Sequence, residues 1–284
     1  MPRRILSTLA VVVATALVSG SLMRGVYARG VSATLGAWGA LAHLPAIAVF
    51  VGLLWVALVR IRRVDRSRSG LVWSREESLH ALAAFVVTAV GLVAVVGGAA
   101  ALVRAPLARS GTAISLVALW WAALSFVGSS AVQQLSAQSI VVTSSPDEGP
   151  SRVGLLWSVA IFTLAHVGVS SSWMYLPNVA LFGLATSLLF VSGARPRYGL
   201  CLGMHAGWNF TQIAILGAPF GASRSETAVF RWPSGPSALF GLSNGLDEGA
   251  LFTVAVVPWV LFALWRRRRT LATLGEREGS TASR

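Results

Sequence analysis

The feature that most constrains this sequence is a series of long apolar runs without charge, separated by short segments that carry arginine. One run lies between Arg4 and Arg24, a second ends near Val59, and a third extends from about Leu79 to Val103. A helix needs about 20 apolar residues to cross the hydrocarbon core of a bilayer, where it satisfies its own backbone hydrogen bonds. Each of these runs therefore predicts a transmembrane helix.

The rest of the chain continues this pattern. Residues 110–146 carry no charge, which is longer than one span needs, and the second half of this stretch reads as helix with a polar face. Further spans are predicted at about residues 153–169, 173–192, 198–217 and 249–265. The fold class is thus an all-α polytopic membrane bundle of about eight helices. The first run is alternatively a cleaved signal peptide, because Arg3 and Arg4 precede it and small residues follow it.

Charge sets the expected orientation. All 23 basic residues are arginine, and 17 of them fall on one side of an eight-span arrangement. Arginine-rich loops stay in the cytoplasm, so both termini are predicted to be cytoplasmic and the protein to be a multi-pass protein of the plasma membrane. The arginines lie between spans and at the chain's end, a placement that argues against nucleic acid as a partner despite the net charge of +13. Membrane lipids are the expected surroundings.

Polar side chains within apolar spans are the candidate functional residues, because they are costly in lipid and usually face the interior of the bundle. His166 lies four residues after Phe162, and Asn209 lies four residues after His205, so each pair shares a helix face. Histidines from separate helices can together bind a divalent metal, Zn²⁺ among the candidates. The alternative is that each histidine makes a hydrogen bond between helices and serves the packing alone.

These residues resemble the motifs of the CPBP intramembrane metalloproteases, which include the CAAX prenyl endopeptidases. That family carries a Phe-x-x-x-His helix and a His-x-x-x-Asn helix, present here as Phe162 with His166 and as His205 with Asn209. The resemblance covers about residues 131–248. The composition of residues 266–284 predicts a disordered cytoplasmic tail. The resemblance implies a CPBP-like core (111–265) that follows N-terminal transmembrane helices (1–110). It also implies His166 and His205 as metal ligands.

The family's first motif, two adjacent glutamates followed by an arginine, is changed in this chain. By its position before the Phe-x-x-x-His helix, it falls on Gln133, Gln134 and Gln138. The family's first glutamate is thought to activate the attacking water, and its histidines and asparagine to bind metal or the oxyanion. An amide cannot accept a proton at neutral pH, so Gln133 cannot act as that base. Asp147 and Glu148 are the acidic residues near enough in sequence to replace it.

Three functions remain open from the sequence. The first is a metalloendopeptidase that still cleaves membrane-associated or prenylated substrates through His166, His205 and Asn209. The second is a homologue with reduced or lost proteolysis, whose cavity binds a peptide, a lipid-modified partner or a metal. The third is a transporter or structural subunit, which the absence of a charged relay across the predicted spans disfavours.

Overall fold

The computed structural model describes residues 52, 56, 73–111, 116–144, 151–219 and 228–282. The first predicted span lies outside these residues, as do almost all of the second and the pair Asp147 and Glu148. The described chain is mainly helical, which confirms the all-α prediction. Its long helices are α1 (Arg75–Leu102), α2 (Leu116–Ser144), α3 (Arg152–Leu164), α4 (Tyr175–Phe190), α5 (Tyr198–Phe210) and α7 (Ala250–Ala282), with a short α6 at Ser237–Phe240.

Shorter elements connect these helices. A π-helical segment (Thr211–Ile215) prolongs α5, and a 3-10 helix (Gly245–Glu248) precedes α7. Two strands of two residues each, β1 (Ala108–Arg109) and β2 (Phe230–Arg231), pair antiparallel. They join the segment after α1 to the segment before α6.

Three of the helices are long and apolar enough to cross a membrane: α1, the first 23 residues of α2, and the first 25 residues of α7. The apolar helices α3 and α4 are shorter. The count of eight spans and the sides of the termini stay predictions.

Helix α1 shows how the sequence divides into a packed face and an outer face. The helix begins where the Ser74 hydroxyl accepts a hydrogen bond from the backbone N–H of Glu77, an N-cap that satisfies one of the free N–H groups of the first turn. Buried residues then recur every four positions, at Ala84, Thr88, Leu92, Val96 and Ala100. Large apolar residues are exposed on the other side, at Leu82, Val86 and Val90. Such a face suits lipid better than water.

Helix α5 lies at the centre of the bundle, in contact with α1, α2 and α4. Its contact with α1 depends on three glycines spaced four residues apart, Gly199, Gly203 and Gly207. A Cβ added at any of them would meet the backbone of α1, at the carbonyl oxygens of Glu77, Ala81 and Phe85 respectively. Small residues at this spacing let two membrane helices approach closely. The backbones of α1 and α5 are therefore in direct contact.

Acidic residues fix the start of α1 against the start of α5. Glu77 is buried, and its carboxylate accepts a hydrogen bond of 2.7 Å from the backbone N–H of Gly199. Arg197 donates to Glu76 at 2.6 Å and to His80 Nδ1 at 3.1 Å. Glu76 is largely exposed, whereas Glu77 is buried and the Arg197 side chain is 21% exposed.

Two predicted boundaries differ from the structure. Helix α3 ends at Leu164, so His166 lies in the following turn rather than within a span, and Gly168 continues that turn with a φ of 83°. The tail predicted to be disordered is helical as far as Ala282, because α7 continues through it. Alanine, leucine, arginine and glutamate are strong helix formers, and extending an existing helix requires no new nucleation.

Candidate functional site

A buried polar chain runs between α2, α3, α4 and α5, at the level of His205. Gln134 Nε2 lies 2.8 Å from His205 Nδ1, which joins α2 to α5. Both side chains are removed from solvent, with relative exposures of 0% and 4% respectively. A hydrogen bond at such depth is strongly favoured over leaving either group without a partner.

The same chain extends away from His205 through a second glutamine and two serines. Gln138 Nε2 donates to Gln134 Oε1 at 3.2 Å and to Ser187 Oγ on α4 at 3.3 Å. Ser187 Oγ lies 3.1 Å from Ser158 Oγ on α3. Each of these residues is buried. Four helices thus contribute to one continuous hydrogen-bonded chain.

His166 approaches the same region from the turn after α3. Its Nδ1 lies 2.7 Å from the backbone carbonyl oxygen of Phe162, and its ring centroid lies 4.8 Å from the Phe162 ring. The Phe162 ring also neighbours His205, at 5.8 Å, and Phe182, at 6.1 Å between centroids. Phe182 lies 5.0 Å from the His205 ring and 5.5 Å from Trp208. The two histidines therefore both neighbour the Phe162 ring.

Asn209 and Gln133 occupy the edge of this site. Asn209 Nδ2 donates to Ser130 Oγ on α2 at 3.5 Å, a second polar link between α2 and α5. Gln133 Oε1 is buried and has no hydrogen-bond partner among the residues that the structure describes. Three of the predicted site residues thus share one hydrogen-bonded chain: Gln134, Gln138 and His205. His166 contacts the Phe162 ring, which also neighbours His205. Asn209 and Gln133 lie beside this chain.

The donor set does not fit a divalent metal centre. Within the described ranges, no group of three or more His, Cys, Asp and Glu side chains is placed to hold a metal ion. Tetrahedral zinc sites use nitrogen, thiolate or carboxylate ligands, whereas the residues around His205 supply amides, hydroxyls and aromatic rings. In both His166 and His205, Nδ1 already contacts protein, so Nε2 is the nitrogen that a ligand would meet.

Sequence reasoning did not predict a second polar cluster, which lies before α7. Asp247 Oδ1 accepts hydrogen bonds from Trp208 Nε1 at 3.1 Å and Gln212 Nε2 at 3.3 Å. Burial raises the pKa of Asp247 to about 6, and these two hydrogen bonds oppose that rise. Glu248 accepts from Ser170 and, at 2.7 Å, from Asn244 Nδ2. The cluster fixes the 3-10 helix against α5, and its only sequence signal is the run of residues 245–249.

Ser158 and Ser187 were also missed. Serines are common in membrane helices, and nothing in their spacing distinguishes these two from serines that bond to their own helix backbone. Their roles depend on how α3 and α4 pack against α2. That packing cannot be read from either helix alone.

Comparison with known proteins gave no match: no family model, no curated protein and no solved structure matches this chain. The class that the fold defines is an all-α bundle with helices long enough to cross a membrane.

Proposed function

We propose that this protein is a plasma-membrane homologue of the CPBP intramembrane metalloendopeptidases whose proteolysis is reduced or lost, and that its cavity binds a membrane-associated peptide or a lipid-modified partner. The observation that carries this proposal is the hydrogen-bonded pair Gln134 and Gln138 beside His205. Amides stand there in the positions where the resemblance leads us to expect ionisable residues. They hold the helices together without charge.

The chemistry of an amide explains why binding is favoured over turnover. A glutamine side chain can orient a water molecule by hydrogen bonding, but it has no basic site that removes a proton from water at neutral pH. Loss of a positioned general base typically slows a reaction by about 10²- to 10⁴-fold. Gln134 contacts His205 directly, so no carboxylate lies between these two side chains.

The surroundings of His166 favour an apolar partner. His166 is only partly buried, and the turn that carries it exposes large apolar side chains at Leu164, Val167, Val169 and Trp173. Exposed apolar side chains beside a polar, hydrogen-bonding group are typical of ligand sites that accept a mainly hydrophobic molecule. A peptide that carries a prenyl or acyl chain has this composition.

The first test uses a membrane-tethered reporter peptide in vesicles that contain the purified protein. We expect wild type to leave the reporter intact, because the site lacks a base. The same vesicles should capture a prenylated peptide that carries a photocrosslinker. His205→Ala should weaken this capture by about tenfold, the effect of one buried hydrogen bond.

His80→Ala is the matched control for the capture experiment, because it removes a histidine near the start of α1 that contacts Arg197 and not the amides around His205. Capture should then remain near the wild-type level. If wild type cleaves the reporter and His205→Ala abolishes that cleavage, the protein is an active peptidase and the proposal of lost proteolysis is wrong.

The second test concerns topology. We propose that the chain crosses the plasma membrane about eight times with both termini in the cytoplasm, because 17 of the 23 arginines then lie on the cytoplasmic side. A reporter fused after Arg284 should be active only as a cytoplasmic reporter. Activity of a periplasmic or extracellular reporter at that position would mean that the span count is odd, and the first run would be the helix to re-examine.

A further inference from the structure

The hydrogen bond of His166 determines which of its ring nitrogens carries the proton. Its Nδ1 contacts the backbone carbonyl oxygen of Phe162 at 2.7 Å, and a carbonyl oxygen can only accept. Nδ1 of His166 is therefore the protonated nitrogen. In the neutral ring, Nε2 then holds a lone pair and can accept a hydrogen bond.

The hydrogen-bonded chain of Gln138, Gln134 and His205 determines the opposite position for the proton of the His205 ring. Gln138 Nε2 donates both of its hydrogens, one to Gln134 Oε1 and one to Ser187 Oγ. Because Gln134 Oε1 is an acceptor in this chain, its Nε2 is the group that donates to His205 Nδ1. His205 Nδ1 is therefore the acceptor, and in the neutral ring the proton lies on Nε2.

The amide orientations in the structure set the direction of this hydrogen-bonded chain. If Gln134 alone were turned, its Nε2 would face Gln138 Nε2, and two donors would meet. With Gln138 Nε2 donating both of its hydrogens, the hydrogen bonds run from Gln138 through Gln134 to His205 Nδ1.

We propose that the site holds its two histidines in opposite tautomers, with Nε2 of His166 as an acceptor and Nε2–H of His205 as a donor. This inference rests on the proposed binding function and specifies the chemistry of its ligand. A donor and an acceptor that both neighbour the Phe162 ring suit an uncharged group that both donates and accepts, and a peptide amide is such a group.

The same arrangement disfavours a metal. A divalent cation needs a lone pair from each imidazole that binds it. Nε2 of His205 offers a hydrogen instead, and freeing its lone pair would require the amide chain to turn. Gln134 therefore acts as a positioning residue that selects an amide ligand over a cation.

The ¹⁵N NMR spectrum of protein labelled at histidine tests this assignment, since protonated and unprotonated ring nitrogens give well-separated signals. At about pH 8, where imidazole is neutral, we expect proton-bearing Nδ1 in His166 and proton-bearing Nε2 in His205. The variants His166→Asn and His205→Asn identify the signals by removing them. The same tautomer in both rings would overturn the proposal, and so would a wild-type spectrum in which zinc shifts the Nε2 signal of His205.

A double variant changes the tautomer by design. Gln134→Glu with Gln138→Arg replaces the donor to His205 with a carboxylate that the neighbouring guanidinium keeps ionised and that can only accept. The proton of His205 should then move to Nδ1, and its Nε2 should become a lone pair. We expect zinc affinity to rise by at least about tenfold, because Nε2 then offers zinc a lone pair in place of a hydrogen. Gln133→Glu with Gln138→Arg is the matched control, because it introduces the same two residue types but keeps Gln134 as the donor to His205, and it should leave both tautomers unchanged.

The outcomes separate this inference from the proposed function. Opposite tautomers together with ring signals that shift on addition of the prenylated peptide support both. If the tautomers are opposite but the peptide shifts no histidine ring signal, the amide ligand and the proposed binding function are wrong, and the assignment of the protons is still correct. Equal tautomers would overturn the inference even if the peptide binds.

Discussion

Replacement of Gly203 by alanine should lower the melting temperature of the purified protein by about 5–10 °C, since overpacking costs about 3 kcal/mol where nothing can move aside. The added Cβ would overlap the backbone carbonyl oxygen of Ala81 on α1. A carbonyl within a helix cannot rotate out of the way as a flexible side chain does. The two helices would have to separate, and thermal unfolding in detergent measures the cost.

Gly91→Ala is the control for this experiment. Gly91 lies within α1, and a Cβ there would meet nothing within 4 Å. Alanine is a better helix former than glycine by about 0.5–1 kcal/mol, so this variant should be neutral or slightly stabilising. A Gly203→Ala protein that melts with wild type would show that α1 and α5 are not packed backbone to backbone.

The same glycines control the position of the site. His205 lies between Gly203 and Gly207 on α5, so the close contact with α1 on one face sets how far α5 reaches toward Gln134 on α2. Displacing α5 by even one ångström would break a hydrogen bond of 2.8 Å. We therefore expect the Gly203→Ala protein to lose capture of the prenylated peptide together with its stability.

The spacing of Gly199, Gly203 and Gly207 was available in the sequence, but its meaning was not. Glycines four residues apart predict a close helix contact, because they share one face. They do not identify the partner helix, which here is separated from α5 by about a hundred residues along the chain. The existence of α1, α3, α4, α5 and α7 followed from charge-free runs, because the bilayer imposes length and apolarity on each helix separately.

The candidate site also combines features that one helix at a time reveals with features that depend on how the helices pack. His166 and His205 were singled out because polar groups in apolar runs are costly, and this reasoning needs one helix at a time. The three glutamines were singled out by their resemblance in position to the first CPBP motif. That Gln134 rather than Gln133 contacts His205 depends on the rotation of α2 against α5. Ser158 and Ser187 enter only because α3 and α4 place two ordinary hydroxyls beside Gln138. The directions of the hydrogen bonds, and so the tautomers, are properties of the assembled chain.

The second large effect concerns introducing charges at the three glutamines that resemble the first CPBP motif in position. Gln138→Arg alone should be severely destabilising, by about 3–5 kcal/mol, because it buries a cation without a counter-charge at a position with 0% exposure. Adding Gln134→Glu should recover part of this loss, since the two side chains are now 3.2 Å apart and the introduced guanidinium could donate to the introduced carboxylate. A double-mutant cycle in thermal unfolding should give a coupling of about 1–3 kcal/mol.

Activity gives the stronger test of the same change. Gln133→Glu alone should cleave the membrane-tethered reporter no faster than wild type, because a single buried carboxylate without a counter-charge favours its protonated form, which is no base.

The triple change Gln133→Glu, Gln134→Glu and Gln138→Arg supplies both the base and the counter-charge. Its carboxylate beside His205 also frees the Nε2 lone pair for a metal. With zinc present, we expect cleavage at least about 10²-fold above wild type. His205→Ala in the triple variant should remove that gain; cleavage that survives it would come from a contaminating protease and not from this site.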